Sequence, residues 1–264
     1  MRLNKYFSAF KISWQETLEY RANTIFRLLM VLVGLVGIYF LWSSIFEDKA
    51  VINGYTKEQI VTYYVIVGYL FGSIYASIPV AKDIQDGSLS IYLTKPISYL
   101  SYIYWQSLAR RVLRLLLGLP IVLLIFYLFQ DNLYIVTDPK AYLILILTSL
   151  FAINILFLFD LLLSFLEFKI FFSDSITMIT NTIAGFFAGT LIPIVFLPPF
   201  IQQIGNFLPF QYTGYFLIDA FLGRVTLQEL FIGIGLQLIW TLVLLLLVKL
   251  AWKAGLKHYE AVGA

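Results

Sequence analysis

Six long apolar runs dominate this sequence, and they constrain its fold more than any other feature. They cover residues 25–46, 60–80, 112–129, 141–165, 176–200 and 230–248. Each has roughly 18 to 25 residues, enough for a helix to cross a hydrocarbon core of about 30 Å. The chain is 61% hydrophobic and only 12% charged, whereas a soluble domain is roughly half apolar and about a quarter charged. The composition therefore excludes a water-soluble globule and indicates a membrane protein.

The continuity of these runs predicts helices, because a barrel strand alternates apolar and polar residues over about ten positions. The predicted fold class is an all-α polytopic membrane protein, with six transmembrane helices in a single domain of residues 1–264. The sequence has no cysteine, which excludes disulfides and thiolate metal ligands. Its single histidine, His258, lies near the C-terminus and is expected to be solvated. We expect the N-terminus to be retained, since the first apolar run is long enough to span.

The distribution of lysine and arginine predicts the orientation of the chain. With the N-terminus in the cytosol, 14 of the 18 basic residues fall on the inner side. The outer side holds only Lys49, Lys57, Lys140 and Arg224. Because cytosolic loops carry such an excess, both termini are predicted to be cytosolic. The basic residues cluster at helix ends, so we expect anionic lipid, and not nucleic acid, to attract them.

Residues 1–22 are too polar to span, but they have a helical pattern. At 100° per residue, five apolar side chains share one face: Leu3, Phe7, Phe10, Trp14 and Leu18. Charged and polar side chains occupy the opposite face. This pattern predicts an interfacial helix that lies in the plane of the lipid headgroups. The alternative is a soluble helix that packs on a partner.

The segment 81–102 follows the second apolar run and is placed in the cytosol by the charge distribution. It contains two acids, a glycine, a short amphipathic stretch and a closing Lys-Pro pair. Pro96 lacks a backbone N–H and restricts the residue before it, so any preceding helix ends there. The segment is therefore predicted to form a brief helical hairpin at the membrane surface.

Two separate stretches resemble the ABC-2 type transporter permeases. The chain reads DIQDGSL from Asp83 and LTKPI from Leu93, similar to the acidic-glycine-leucine and leucine-x-x-proline pattern that follows the second helix of that family. It also reads GTLIP from Gly189, with LP at 197–198, LPF at 208–210 and LG at 222–223. This second pattern is similar to the fifth helix and outer loop of a six-span branch. With the six runs and the N-terminal helix, the resemblance covers essentially the whole chain.

The resemblance implies the membrane-spanning subunit of an ATP-driven exporter. ATP hydrolysis needs a loop of the form G-x-x-x-x-G-K-[ST], and neither Gly-Lys-Ser nor Gly-Lys-Thr occurs in the sequence. We therefore expect no cofactor on this chain, with ATP and magnesium bound by a separate ABC ATPase present in two copies. The other expected partners are membrane lipid and a second permease, of the same or a different chain. The implied location is the cytoplasmic membrane of a prokaryote.

In that family, the cytosolic loop between the second and third spans forms a coupling helix that seats in a groove of the ATPase. By position, the resemblance assigns this role to Asp83, Asp86, Gly87, Leu89, Tyr92 and Pro96. The alternative for each residue is a role in shaping the loop, and this alternative is favoured for Gly87 and Pro96.

Charged residues at or inside the predicted spans are further candidates. Arg110, Arg111 and Arg114 are placed at the inner mouth of the third span, where they could bind lipid phosphate or an acidic ATPase surface. A simple membrane anchor is the favoured alternative. Asp160 is the only acid inside a predicted span, and at the bilayer centre it would cost about 2.5 to 3.5 kcal/mol. It is expected either to face a pathway or permease interface, or to be solvated near the inner edge.

The fifth run contains Asn181, Gly185, Gly189 and Pro193. Glycines four residues apart allow close helix approach, and a proline permits a kink, so this run is predicted to form a permease contact or a gate. Prolines and polar residues interrupt the apolar sequence over 198–228. This stretch is predicted to be an outer re-entrant segment, with an aromatic-rich interfacial loop as the alternative.

Two other classes of function stay as alternatives. An intramembrane lipid-modifying enzyme would need a cluster of titratable residues at membrane depth. An ion-coupled secondary transporter usually has repeated halves and several intramembrane charges. The predicted spans contain one acid, and the sequence shows no repeat. Drugs, lipids, peptides and glycans all remain possible substrates.

Overall fold

A computed structural model describes residues 2–19, 21–74, 78–168, 174–257 and 259. This described part is helical and contains no β-sheet, which confirms the all-α prediction. Its α-helices are α1 Arg2–Glu19, α2 Arg21–Ile45, α3 Lys57–Ile74, α4 Val80–Gln85, α5 Leu89–Leu93, α6 Tyr99–Leu128, α7 Pro139–Ser164, α8 Asp174–Phe187, α9 Pro199–Asn206, α10 Tyr215–Phe221 and α11 Leu227–Gly255. His258 lies outside the described residues.

Local capping chemistry sets where several long helices begin. Thr56 and Gln59 exchange backbone and side-chain hydrogen bonds at the start of α3. Asp138 caps α7 with its carboxylate, and Thr226 and Glu229 form a capping box at the start of α11. Each side chain satisfies a backbone N–H that the first turn of a helix leaves without a partner.

Three described helices, α6, α7 and α11, are long and apolar enough to cross a membrane by length and composition. They have 30, 26 and 29 residues, with mean hydropathies of 2.1, 2.5 and 2.5. At about 1.5 Å per residue, each exceeds a hydrocarbon core of about 30 Å. These helices support a protein that crosses the membrane more than once. The helix α6 begins at Tyr99, thirteen residues before the predicted span at 112, so Arg110 and Arg111 lie within this helix and not at its start.

The first two predicted spans are helical as α2 and α3. The helix α3 lies at the centre of the packing, since Ile60, Tyr63 and Ile74 are fully buried. It packs against α2, α6 and α10. Its first turn carries Lys57 and Glu58, and α3 is not among the three described helices that are long and apolar enough to cross a membrane. Within α2, the stretch Val33–Ile45 forms a shorter apolar helix.

The fifth predicted span, 176–200, is wrong as a continuous helix. The helix α8 ends at Phe187, and the chain turns at Gly189, whose φ is +77°. A side chain at Gly189 would place its Cβ 2.6 Å from the Tyr63 hydroxyl oxygen. The helix therefore ends six residues before Pro193, which instead precedes a short 3₁₀ turn, Ile194–Phe196. Backbone conformation at glycine, and not the proline, interrupts this run.

The helix α1 packs along α6, and Phe10 meets Trp105 of α6 edge to face with 6.4 Å between the ring centroids. The buried side chains of α1 are Ala9, Ser13 and Thr17, which are spaced four residues apart. Phe7 is 64% exposed, while Phe10 stacks on Trp14 with 5.7 Å between the ring centroids. The small residues let the two helices approach closely. Phe7 and Leu18 are exposed, and an interfacial helix would place such residues in contact with lipid.

Residues 198–228 form the short helices α9 and α10 with a 3₁₀ turn, Phe210–Thr213, between them. The turn and α10 pack against α7. Gln237 of α11 is buried and donates hydrogen bonds to the backbone oxygens of Thr148 and Tyr212. It thereby ties α11 to both α7 and the 3₁₀ turn.

Candidate functional site: a coupling hairpin and a buried ion pair

The helices α4 and α5 form a hairpin at one end of the bundle, the end predicted to be cytosolic. Gly87 makes the turn between them with a φ of +75°, a conformation that glycine adopts without strain. The Asp86 carboxylate accepts a hydrogen bond of 3.0 Å from the backbone N–H of Ser88. The bonds from Ser88 lower the pKa of the exposed Asp86 carboxyl. These contacts fix the turn, so Gly87 shapes the hairpin.

Three apolar side chains anchor the hairpin to the rest of the bundle. Val80, Ile84 and Leu89 are buried, and they belong to a cluster that includes side chains of α6, α7 and α11. Leu89 was a candidate for ATPase contact, but its fully buried side chain is part of this core. The hairpin therefore shares one apolar core with three long helices.

Asp83 is directed toward the bundle. Its carboxylate accepts hydrogen bonds from the Tyr99 hydroxyl at 2.5 Å and from the Ser88 hydroxyl at 3.1 Å. Both carboxylate oxygens are thus engaged, one by the first residue of α6 and the other by the hairpin turn. This geometry gives Asp83 a positioning role, and leaves Asp86 as the acid on the outer surface.

The exposed face of the hairpin is partly apolar. Ile91 is 58% exposed and Leu93 is 45% exposed, beside the exposed Lys95 and Pro96. The half-buried Tyr92 packs against Tyr99 and Tyr102 with ring centroids 5.3 and 5.4 Å away, and the Lys95 ammonium lies 4.8 Å from its ring. We call the surface formed by Asp86, Ile91, Leu93, Lys95 and Pro96 the coupling surface.

Ile91 and Leu93 were not among the residues predicted from the sequence. The available signal was the presence of two large apolar residues in a segment predicted to be cytosolic. One of them, Leu93, also belongs to the leucine-x-x-proline motif. Their exposure could not be derived from that signal, because the neighbouring Leu89 belongs to the same short helix and is buried.

A buried ion pair lies deeper in the bundle. Arg111 of α6 and Asp160 of α7 are paired with 3.4 Å between guanidinium nitrogen and carboxylate oxygen. Arg111 is only 1% exposed. It also donates to the backbone oxygen of Ile74 at 2.6 Å and to the Ser107 hydroxyl. One guanidinium therefore connects α6 and α7 to the C-terminal residue of α3.

This pair corrects two sequence predictions. Arg111 does not belong to a surface cluster with Arg110 and Arg114, because its guanidinium is enclosed by protein. Asp160 is 16% exposed and paired with Arg111, so its carboxylate is held by a protein partner and is not simply solvated. Arg110 is half-buried in α6 and has a favourable electrostatic interaction with Glu16 of α1. The sequence signal for the pair was one acid in the fourth predicted span and one arginine directly before the third.

Aromatic and charged side chains secure the opposite, predicted outer, end. Tyr63 donates a hydrogen bond of 2.8 Å to the backbone oxygen of Gly189, and Tyr64 donates one of 2.8 Å to that of Leu191. They fasten the segment after α8 to α3. Thr190 bonds back to the Gly185 backbone oxygen, so the residue that Gly185 faces most closely belongs to its own segment. Asn181 lies half-buried on α8.

A second charged cluster closes the same end. Arg224 pairs with Asp219 at 3.3 Å, and its guanidinium lies 3.5 Å from the centroid of the Tyr55 ring. Tyr55 donates a hydrogen bond to Asp219. Burial raises the pKa of the Asp219 carboxyl, although the hydrogen bonds from Tyr55 and Tyr215 and the charge of Arg224 oppose that shift. The cluster joins the loop before α3 to α10.

Comparisons with known proteins place the chain in a family. Neither the curated proteins nor the solved structures give a significant match. A family model described as "ABC-2 family transporter protein" matches residues 32–263, which is most of the chain. The match includes the coupling hairpin, both members of the buried ion pair and the outer cluster. The chain therefore belongs to the ABC-2 transporter family, as a membrane protein of that family.

Proposed function

We propose that this chain is the permease subunit of an ATP-driven exporter, and that its coupling surface binds a separate ABC ATPase. One observation carries the proposal: a short hairpin exposes Ile91 and Leu93 while its opposite face is rooted in the core of the bundle. Exposed large apolar residues beside charged ones are typical of a protein contact. A contact on this hairpin would act on α6, α7 and α11 together.

The proposed orientation has both termini and the hairpin in the cytosol of a prokaryote, with six spans. Support comes from the excess of lysine and arginine on that side and from membership of the ABC-2 family. The working assembly contains two ATPase copies, which hold ATP and magnesium, and two permeases. In this arrangement, Arg110 and Arg114 interact with lipid phosphate or with an acidic partner, and Asn181, Gly185, Gly189 and Pro193 lie near the permease contact or gate.

Within the hairpin, the residues divide into two groups. Asp86, Tyr92 and Pro96 stay as contact candidates, joined by Ile91 and Leu93. Asp83, Gly87 and Leu89 hold the hairpin in shape. Substitution of the second group would disturb the fold of the hairpin, so a test of docking has to use the first group.

The test is co-purification from the native membrane. Tagged wild-type permease is expected to retain a protein whose sequence contains the ATP-binding pattern G-x-x-x-x-G-K-[ST], called the Walker loop. The double variant Ile91→Glu and Leu93→Glu is expected to reduce that protein at least tenfold, because two carboxylates would be desolvated at an apolar contact. Permease abundance should stay unchanged, since both side chains are exposed.

The matched control is the double variant Val51→Glu and Ile135→Glu. These side chains are 55% and 47% exposed, and they lie at the opposite end of the bundle. Retention of the ATPase in the control and its loss in the hairpin variant supports the proposal. Equal retention in both would refute docking at the coupling surface, and absence of any Walker-loop protein with the wild type would refute the function itself.

A further inference from the structure

A lateral groove opens between α2, α3 and α6. Its volume is about 510 Å³, which lies within the range of about 300 to 1,000 Å³ of small-molecule sites. Val61 and Val65 of α3 form its floor, while Leu35 of α2 and Leu124 of α6 belong to its walls. We call this space the lateral groove.

The floor and the rim of the lateral groove differ in accessibility. Val61 and Val65 are 8% and 4% exposed, so molecules that only surround the protein reach them poorly. Leu124 and Leu128 on the rim are exposed. Along α6, the lining runs from Ile121 to Leu128, a distance of about 10 Å at about 1.5 Å per residue. The groove is therefore mostly apolar and follows α6 over about two helical turns.

One end of the lateral groove is polar. Tyr39 donates a hydrogen bond of 3.0 Å to the Asn132 side-chain oxygen, and both residues line the groove. The Lys57 ammonium lies 5.9 Å from the centroid of the Tyr39 ring. Among the ion pairs of the described residues, none includes Lys57. Lys57 also begins α3, where the helix dipole favours an anion.

We propose that the lateral groove binds one acyl chain of a membrane phospholipid, whose phosphate lies at the Lys57 end. An apolar groove that ends at a cation and an amide matches an amphiphile with one chain in the groove and an anionic head at its mouth. The membrane-spanning helices on both sides would present the groove to hydrocarbon. By the predicted orientation, the phospholipid belongs to the outer leaflet. The inference goes beyond the proposed exporter function and does not depend on an ATPase.

The test uses the full chain in vesicles of phosphatidylethanolamine and phosphatidylglycerol. A small fraction of the phosphatidylglycerol carries a diazirine in the middle of one acyl chain. After illumination, peptide mapping is expected to find adducts on Val61 or Val65, since only a chain inside the groove reaches them. Adducts confined to rim residues such as Leu124 and Leu128 would overturn the proposal, because surrounding lipid alone labels exposed positions.

One variant tests the apolar part of the groove and a second tests its polar end. Leu124→Trp narrows the groove and should reduce adducts on the floor at least fivefold, whereas Leu242→Trp, on an exposed position of α11, should leave them unchanged. Lys57→Gln should reduce adducts from the phospholipid probe at least threefold, but not those from a diazirine fatty alcohol that lacks phosphate. An unchanged phospholipid signal in Lys57→Gln would overturn the phosphate assignment. Because Lys57 is half-buried at the start of α3 and Gln keeps most of its side-chain length, this change tests the site even if the tryptophan variant misfolds.

Discussion

The buried pair between Arg111 and Asp160 gives the sharpest prediction about stability. Replacing Asp160 with leucine leaves a guanidinium, which stays charged, enclosed by protein. Removal of one partner of a buried ion pair costs about 3 to 5 kcal/mol. We expect the lower end, about 3 kcal/mol, for two reasons. The 3.4 Å separation exceeds the roughly 2.7 to 2.9 Å of a strong charge-assisted bond, and Arg111 would keep its bonds to Ile74 and Ser107.

The assay is thermal unfolding of the purified permease in detergent, followed by size-exclusion chromatography. At about 2 to 4 °C per kcal/mol for a chain of this size class, the Asp160→Leu variant should lose about 6 to 12 °C. The double variant Arg111→Met and Asp160→Leu should recover most of this loss, because two apolar side chains of similar volume need no charge partner. The control is Asp131→Leu, an exposed acid whose loss should change stability by about 0.5 kcal/mol or less.

The reasoning would be refuted by either of two results. If Asp160→Leu unfolds at the wild-type temperature, the carboxylate does not stabilise the guanidinium. If the double variant is as unstable as the sum of its two single variants, the side chains act independently, and the pair is not the reason for the loss.

Two further predictions concern the bend after α8 and the orientation. Gly189→Ala should destabilise the protein by about 1 to 3 kcal/mol, because alanine is strained at a φ of +77° and its Cβ would approach the Tyr63 hydroxyl; thermal unfolding checks this, and Gly185→Ala, whose nearest neighbour is the Thr190 hydroxyl at 3.1 Å, should change stability by only about 1 kcal/mol or less. Since the chain has no cysteine, Asp131→Cys should react with an impermeant thiol reagent in intact cells and Thr94→Cys should not. The opposite labelling pattern would reverse the predicted topology and place the coupling surface where no ATPase can reach it.

The sequence alone determined the class of the protein. Lipid thickness sets the length that an apolar helix needs, so the long runs that became α6, α7 and α11 could be recognised without any tertiary information. The sequence alone also predicted the amphipathic helix at the N-terminus, the brief hairpin over 81–102 and the likeness to ABC-2 permeases. Each depends on residues that are neighbours along the chain.

The prediction for the fifth apolar run, a continuous helix over 176–200, was wrong. The composition of this run fits a span from 176 to 200, and Pro193 was the expected break. The helix ends earlier because Gly189 adopts a positive φ beneath the Tyr63 hydroxyl, and Tyr63 is distant in the sequence. A hydropathy pattern contains no information about a hydrogen bond from another helix.

Only the tertiary structure decided which candidate side chains point inward and which point outward. Asp83 and Leu89 face the bundle, while Ile91 and Leu93 on the same hairpin face away. Arg111 meets Asp160 although the two are 49 residues apart. Hydropathy and spacing describe one helix at a time, whereas the direction of a side chain depends on which neighbour can bury its methyl groups or satisfy its charge, and that neighbour is chosen by the packing of the whole bundle.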